Sequence, residues 1–255
     1  MVAHVVARRA GCVAGIGVAL RVFELVDDGI AVGALVSDGD VVAEGTRLAT
    51  VAGPARSILA AERVALNLLG QLSGVATATR ALVDRVEGTR ARILDTRKTV
   101  PLLRALQKMA VQAGGGMNHR MGLYDQVLIK DNHVEAVGSA AEAVRRARAH
   151  VGVDMKIEVE IESLDDLEPV IAAGADIVML DNLDPDTMRT AVERVAGRVL
   201  LEASGGITLD TVRTVAESGV DYISVGALTH SAPSLDVSLD FEGHGDQDPR
   251  SVSPK

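Results

Sequence analysis

Several apolar runs in this chain stop abruptly at ionisable residues. Arg97 and Lys98 follow Ile93-Leu94, and Lys130 follows Val127-Leu128-Ile129. A guanidinium grips a carboxylate or phosphate in two-pronged fashion, while lysine supplies a compact charge. Between them lies Gly114-Gly-Gly-Met-Asn-His-Arg120, a glycine-rich turn that delivers an imidazole beside a guanidinium. Taken alone, a glycine run is a helix stop and a single histidine is more often structural. Set beside Arg97 and Lys130, His119 and Arg120 point to a pocket for a small polyanion.

Carboxylates stand at similar positions. Alternation over Lys156 to Glu162 places Lys156, Glu158, Glu160 and Glu162 on one strand face, with Ile157, Val159 and Ile161 on the other. With the apolar face toward a helix layer, Glu158 and Glu160 point inward, and Lys156 is the near partner for Glu158. Glu160, closer to the strand end, is free to act, and Asp181 ends the next run. Two carboxylates beside a basic pocket suit Mg²⁺, ribose hydroxyls or a developing carbocation. Ser204-Gly205-Gly206 and Val225-Gly226-Ala227 close the last two runs, and small residues there let backbone N–H groups approach a phosphate.

These residues need elements to hold them. Beyond about Gly88, six apolar runs alternate with amphipathic helical stretches: Arg92 to Lys98, Val127 to His133, Lys156 to Ile161, Ile177 to Asn182, Val199 to Gly206 and Tyr222 to Ala227. Helix starts are marked by Ser163 with Asp166 as a capping box, by Asp184-Pro185, and by Thr208-Leu-Asp ahead of Val212. Such βα alternation calls for a parallel sheet, and polar residues at the C-terminal strand ends favour an α/β barrel. The first 75 or so residues differ. Strand-like runs (Ala3 to Ala7, Ile30 to Val36, Arg47 to Val51) separated by turns precede a helix from Ser57 to about Leu72, its apolar stripe including Ile58, Leu59, Ala61, Val64, Ala65, Leu68 and Leu69. Domains are expected over 1–75 and 76–227, with part of 228–241 joining the first and 242–255 a disordered tail.

Composition narrows the function classes. The chain has 255 residues, 47% apolar, and only four aromatic rings, Phe23, Tyr124, Tyr222 and Phe241. Base stacking on aromatic platforms is excluded, and the net charge of -9 argues against a general nucleic-acid surface. Yet residues 90 to 130 hold eight Lys/Arg against two acids, leaving the rest about fifteen units negative. Within this stretch Arg90, Arg104 and Lys108 read as solvated helix charge. The single cysteine, Cys12, allows no internal disulfide and suits a reducing cytoplasm. Arg8-Arg9 and the apolar run to Leu20 imitate an export signal, but Arg21 and Glu24 interrupt it. No run approaches the ~20 apolar residues of a membrane span.

Together, Asp95-Thr-Arg-Lys-Thr99, Ala105-Leu-Gln-Lys-Met-Ala-Val111, Gly114 to Arg120, Leu128-Ile-Lys-Asp-Asn-His133, Glu158-Val-Glu160, Leu180-Asp-Asn182 and Glu202-Ala-Ser-Gly-Gly206 closely resemble the quinolinate phosphoribosyltransferase family, from about Val5 to Phe241. The resemblance implies the type II phosphoribosyltransferase fold: an N-terminal α/β sandwich and a C-terminal six-stranded or TIM-like α/β barrel. It also implies a homodimer, with a hexamer as the larger alternative, in which Arg63 reaches the neighbouring subunit's site. Arg97, His119, Arg120 and Lys130 would surround the quinolinate carboxylates. Lys98, Thr99, Glu160 and Asp181 would face phosphoribosyl pyrophosphate and its Mg²⁺, with Ser204, Gly205, Gly206, Val225, Gly226 and Ala227 at the phosphate end. The family pattern has a further helix and an acidic segment ahead of the position of Val2.

The implied reaction gives nicotinate mononucleotide, pyrophosphate and CO2 in NAD biosynthesis. Catalytic roles fall to Lys98, Lys130, Glu160 and Asp181, with metal contact by Glu160 and Asp181, direct or through the pyrophosphate. Other readings of the same residues are a different aromatic acid as substrate, a Schiff-base aldolase using Lys130, or a module that only binds phosphorylated ligands. The aldolase would need an apolar pocket around the lysine, and the neighbours of Lys130 are basic and polar.

Overall fold

The computed structural model describes residues 1–243. They form two compact units. The first comprises Met1–Ala78, Gln112–Gly115 and residues 232–243; the second comprises Thr79–Val111 and Gly116–Ser231.

The first unit holds β1 (Val2–Ala7), β2 (Gly11–Cys12), α1 (Ile16–Val26), β3 (Ala31–Ala34), β4 (Val41–Val42), β5 (Arg47–Ala52) and the start of α2 (Ala55–Arg85). A returning strand, β12 (Val237–Phe241), completes an antiparallel sheet in the order β12-β1-β5-β3. Strands β2 and β4 form a separate pair. The core is aliphatic around one ring: Phe23, Leu48, Ile58, Ala61, Ala65 and Leu69 are buried.

Helix α2 is longer than its apolar stripe implies, because the Ala-rich segment after Leu72 propagates it to Arg85. The expected boundary after residue 75 therefore falls inside a helix. Gly70 and Gly74 stand one turn apart in it for close approach: a Cβ would meet the Leu235 carbonyl oxygen at 2.8 Å and the Pro233 carbonyl oxygen at 2.1 Å. The stripe is also narrower than expected, since Leu59 and Val64 are more than half exposed and lie off the buried face. The tail expected over 242–255 lies outside the described residues except at its start. There Glu242 continues the β1 pairing, its N–H donating to the Val2 carbonyl at 3.0 Å, and its carboxylate contacts His4 Nε2 at 2.8 Å.

The second unit contains six parallel strands: β6 (Arg92–Leu94), β7 (Val127–Ile129), β8 (Ile157–Ile161), β9 (Ile177–Asp181), β10 (Leu200–Ser204) and β11 (Tyr222–Ser224). They pair in the order β6-β11-β10-β9-β8-β7. The last strand thus returns to pair with the first, which is the circular order of a barrel, with a seam between β6 and β7 among the described residues. On its free side β6 is extended by Met117, whose N–H donates to the Ile93 carbonyl at 2.8 Å and whose carbonyl accepts from Asp95 N at 3.2 Å. The helices are α3 (Arg104–Ala113), whose last two residues belong to the first unit, then α4 (Asp131–Val137), α5 (Ala140–Val151), α6 (Leu167–Ala172), α7 (Pro185–Val195), α8 (Val212–Glu217) and α9 (Ala227–His230).

Val159, Val178, Leu180, Ala203 and Ile223 are fully buried in the sheet, as parallel strands covered on both faces require. Asp184 caps α7 by accepting from Asp186 N and Thr187 N, both at 3.0 Å. Ser163 does not cap α6. Its hydroxyl accepts from Asp165 N at 3.2 Å in the preceding turn, and the helix begins later, at Leu167. Likewise Thr208 shapes the turn before α8, its N–H donating to Thr211 Oγ1 at 3.0 Å.

Candidate active site

The C-terminal strand ends of the second unit enclose a cleft in two adjoining parts. The inner part, about 530 Å³, is lined by Arg97, Lys98, His119, Arg120, Lys130 and Glu202, with Leu128 and Met179 as apolar wall. The outer part, about 1010 Å³ with its open mouth, is lined by Lys98, Lys130, Glu160, Asp181, Asn182 and the segments 204–207 and 224–227. Thr96, Lys98, Lys130, Ser204 and Ser224 border both. The residues expected at the polyanion pocket and at the phosphate end therefore line adjoining parts of one cleft.

Arg97, Lys98 and Thr99 leave β6 in a loop held from below. Buried Gln107 accepts from Val100 N at 2.9 Å and donates to the Thr229 carbonyl at 2.7 Å, while the Thr229 hydroxyl donates to the Lys98 carbonyl at 2.8 Å. Thr99 lines neither part of the cleft; its hydroxyl accepts from Arg104 Nε at 3.1 Å. Arg104 is not a solvated charge either, because its Nη2 also donates to the Arg97 carbonyl at 3.2 Å.

Lys108 departs furthest from expectation. It is 1% exposed, and its ammonium is hydrogen bonded to buried Asp95 and donates to the His119 carbonyl at 2.7 Å. Asp95 Oδ1 also accepts from His119 N at 2.8 Å. Burial pushes the Asp95 carboxyl up and the Lys108 ammonium pulls it back. The pair clamps the backbone of His119 at both ends.

The His119 ring is equally engaged. Nδ1 accepts from Arg120 N at 2.7 Å, and Nε2 lies 2.9 Å from Glu158 Oε2. Burial lowers the basicity of the ring, against the pull of nearby Glu202. A neutral imidazole carrying its proton on Nε2 satisfies both contacts. Glu158 does not pair with Lys156, whose ammonium turns to Asp176 at 3.4 Å. Its partners are His119 and Gln126, whose amide donates to Oε2 at 2.6 Å. Burial pushes Glu158 up to about 7, and burial together with the Glu158 charge pushes Glu202 up to about 8. Ligand atoms of His119, Glu158 and Glu202 lie within 4.8 Å of one another.

Arg97 and Arg120 each bury an Nε with no protein acceptor. Burial, and then the neighbouring Arg97 charge, weaken the basicity of Arg120. Two guanidinium groups beside one pocket, each with an unsatisfied donor, suit a carboxylate-bearing ligand. Lys130 Nζ donates to Glu160 Oε2 at 2.7 Å, and Asp181 Oδ2 accepts from Asn182 Nδ2 at 2.7 Å. Gly205 has φ 96° and a Cβ there would meet Asn182 Oδ1 at 2.1 Å, so only glycine fits. The Val225 N–H is already occupied by the Leu94 carbonyl at 3.0 Å, so that residue offers the cleft no backbone donor, unlike the expectation for 225–227. Arg63 belongs to the first unit, where its side chain is 74% exposed with Glu62 at 3.4 Å.

Glu202 and Asn182 stand in the motifs of the resemblance without an assigned role, and the sequence does not single out Gln126 or Ser224. A charged residue inside the apolar run Val199 to Ala203 was the available signal for Glu202.

A parallel α/β barrel with a basic pocket and paired carboxylates at its C-terminal strand ends defines an enzyme of small anionic substrates. The chain belongs to the quinolinate phosphoribosyl transferase family: the family's N-terminal domain matches residues 1–73 and its C-terminal domain residues 75–240. It is 47% identical over 238 residues to a probable nicotinate-nucleotide pyrophosphorylase [carboxylating] of Bacillus subtilis, covering 93% of this chain and 82% of that protein. It is 49% identical over 241 residues to the nicotinate-nucleotide pyrophosphorylase [carboxylating] of Mycobacterium leprae, covering 92% and 84%. The structure of the nicotinate-nucleotide pyrophosphorylase from Francisella tularensis superposes with a TM-score of 0.90 at 42% identity, covering 94% of this chain and 85% of that one.

Proposed function

We propose that this chain transfers the phosphoribosyl group of phosphoribosyl pyrophosphate to quinolinate with decarboxylation, giving nicotinate mononucleotide, pyrophosphate and CO2 in NAD biosynthesis. The observation that carries the reading is the pair Arg97 and Arg120, each with a buried Nε lacking a protein acceptor, beside a cleft walled by Lys130, Glu160 and Asp181.

In this reading Arg97, Arg120 and Lys130 hold the two quinolinate carboxylates and present the pyridine nitrogen to the anomeric carbon. The nitrogen lone pair forms the new bond as the bond to pyrophosphate breaks, its electron pair leaving on oxygen. Positive charge gathers on the ribose, where the Glu160 and Asp181 carboxylates stabilise it. Lys98 and the 204–206 and 226–227 segments receive the phosphates. The quaternised ring then accepts the electron pair left when the adjacent carboxylate departs as CO2, and that ring carbon takes up a proton. Lys130, which borders both parts of the cleft, must hold that carboxylate without overstabilising it.

Glu160 and Asp181 also offer hard oxygen ligands suited to Mg²⁺. They would hold it directly or through the pyrophosphate, and the ion would offset the charge of the leaving group. We further infer a cytoplasmic homodimer to which Arg63 contributes across the subunit interface; its exposure supports this. Among the described residues no helix is long and apolar enough to cross a membrane.

The test supplies purified protein with quinolinate, phosphoribosyl pyrophosphate and Mg²⁺. Nicotinate mononucleotide and CO2 should appear in equal amounts. Turnover of nicotinate in place of quinolinate, or ligand binding without product, would replace the reading.

A further inference from the structure

Arg120 sits on an irregular segment, yet its guanidinium must meet a carboxylate at a fixed angle. Three hydrogen bonds and one close contact between ring and carboxylate complete a circuit around it. Arg120 Nη1 donates to the Gln126 carbonyl at 3.2 Å, and the Gln126 side-chain amide donates to Glu158 Oε2 at 2.6 Å. The same Oε2 faces His119 Nε2 at 2.9 Å, and His119 Nδ1 accepts from Arg120 N at 2.7 Å. Outside this circuit the His119 backbone is gripped by Asp95 and Lys108.

Only one member of the circuit stands on a rigid element. Glu158 lies within β8, fully buried, opposite Leu128 of β7 and Ile177 of β9 in the parallel ladder. The other three belong to the segment between α3 and β7. Because both His119 ring nitrogens are occupied inside the protein, neither is free for a ligand in this arrangement. The imidazole links strand to loop instead, by passing the orientation of the Glu158 carboxylate to the Arg120 backbone.

We propose that Glu158, through His119 and Gln126, is a positioning residue that orients Arg120 for the substrate carboxylate. This rests on the assignment of quinolinate to the inner part of the cleft. Glu158 touches no substrate in this scheme, so its loss should affect capture of the dicarboxylate and leave the phosphoribosyl donor alone. Both links end on Oε2, a place that the amide oxygen of a glutamine can fill, so the substitution that opens the circuit is Glu158→Met, which keeps the volume and removes the acceptor.

The experiment compares the full chain with Glu158→Met and Gln126→Ala. In each variant KM for quinolinate should rise about tenfold or more, while KM for phosphoribosyl pyrophosphate stays within about twofold. The double variant should be no worse than the poorer single one, because the two substitutions open the same circuit. Equal loss for both substrates, a fall in kcat alone, or multiplying losses in the double variant would overturn the proposal. A second readout does not depend on the substrate. Nitrogen NMR of labelled histidine should show His119 protonated on Nε2 in the parent and shifted in Glu158→Met. Protonation on Nδ1 in the parent removes the circuit whatever the enzyme's substrate, whereas the expected tautomer in a protein that binds no quinolinate leaves the circuit standing, refutes the substrate assignment and sinks the proposed role. Gln126→Ala, altering a loop residue, keeps the kinetic comparison decisive if Glu158→Met does not fold.

Discussion

Lys130 and Glu160 meet across neighbouring strands, Nζ to Oε2 at 2.7 Å, with the lysine side chain half exposed and the glutamate side chain 8% exposed. The ammonium therefore neutralises a carboxylate at the border between the two parts of the cleft. Lys130 belongs to the binding of one substrate and Glu160 to that of the other in the proposed reaction, so the contact ties the two half-sites together.

Removing that ammonium should hurt twice. Lys130→Met deprives the quinolinate carboxylate of a charge and leaves Glu160 without this partner. Steady-state kinetics should show kcat/KM reduced by about a hundredfold or more, with Lys130→Arg recovering part of it. A Lys130→Met variant within tenfold of the parent would mean the lysine is a surface charge.

Arg120 should be intolerant of its usual conservative replacement. Lysine cannot form the two-pronged contact or donate from Nε, so Arg120→Lys should raise KM for quinolinate by about ten- to a hundredfold. Titration calorimetry with quinolinate would check it, and unchanged affinity would remove Arg120 from the carboxylate site.

Gly205→Ala tests the phosphate end. With φ at 96° and Asn182 Oδ1 at 2.1 Å from the added Cβ, the loop must shift, at a cost of about 1–3 kcal/mol. Affinity for phosphoribosyl pyrophosphate should fall, while quinolinate binding is retained. Loss of both together would show that the loop supports the whole cleft.

The buried glutamates should make stability depend on pH. Burial and the Glu158 charge raise Glu202 from its ordinary 4.5 to about 8. The folded chain keeps a proton that the unfolded chain releases, so stability falls as pH rises between these two values and levels off above them. Glu202→Gln should flatten the profile by up to about 1.4 kcal/mol per pH unit in chemical denaturation across that range. Parallel profiles for parent and variant would show that Glu202 holds no extra proton.

If sites are shared between subunits, mixing Arg63→Ala protein with Lys130→Met protein should restore activity after subunit exchange. About a quarter of the parental rate is expected when equal amounts exchange at random and each hybrid dimer keeps one intact site. No recovery despite verified exchange would place Arg63 outside catalysis.

The repeating plan is legible along the chain. Apolar runs that end in Arg97, Lys130, Glu160, Asp181 and Ser204 specify parallel strands with chemistry at one end, because the alternation of strand and helix dictates the direction in which every strand runs. All six runs are strands in the structure. The joint motifs also carried the family. Who partners whom depends on how the fold brings these groups together. Lys108 looks like any helix lysine until the fold buries it on Asp95, and Lys156 is one alternation away from Glu158 yet reaches Asp176. His119 has the residue type of a ligand-binding group, but Glu158 and Arg120, distant and adjacent in the chain, occupy both its nitrogens. Strand direction is a local periodic property legible along the chain. Hydrogen-bond partnership and desolvation depend on groups brought together across the barrel, such as Glu158 and Glu202, and no spacing in the sequence encodes their distance.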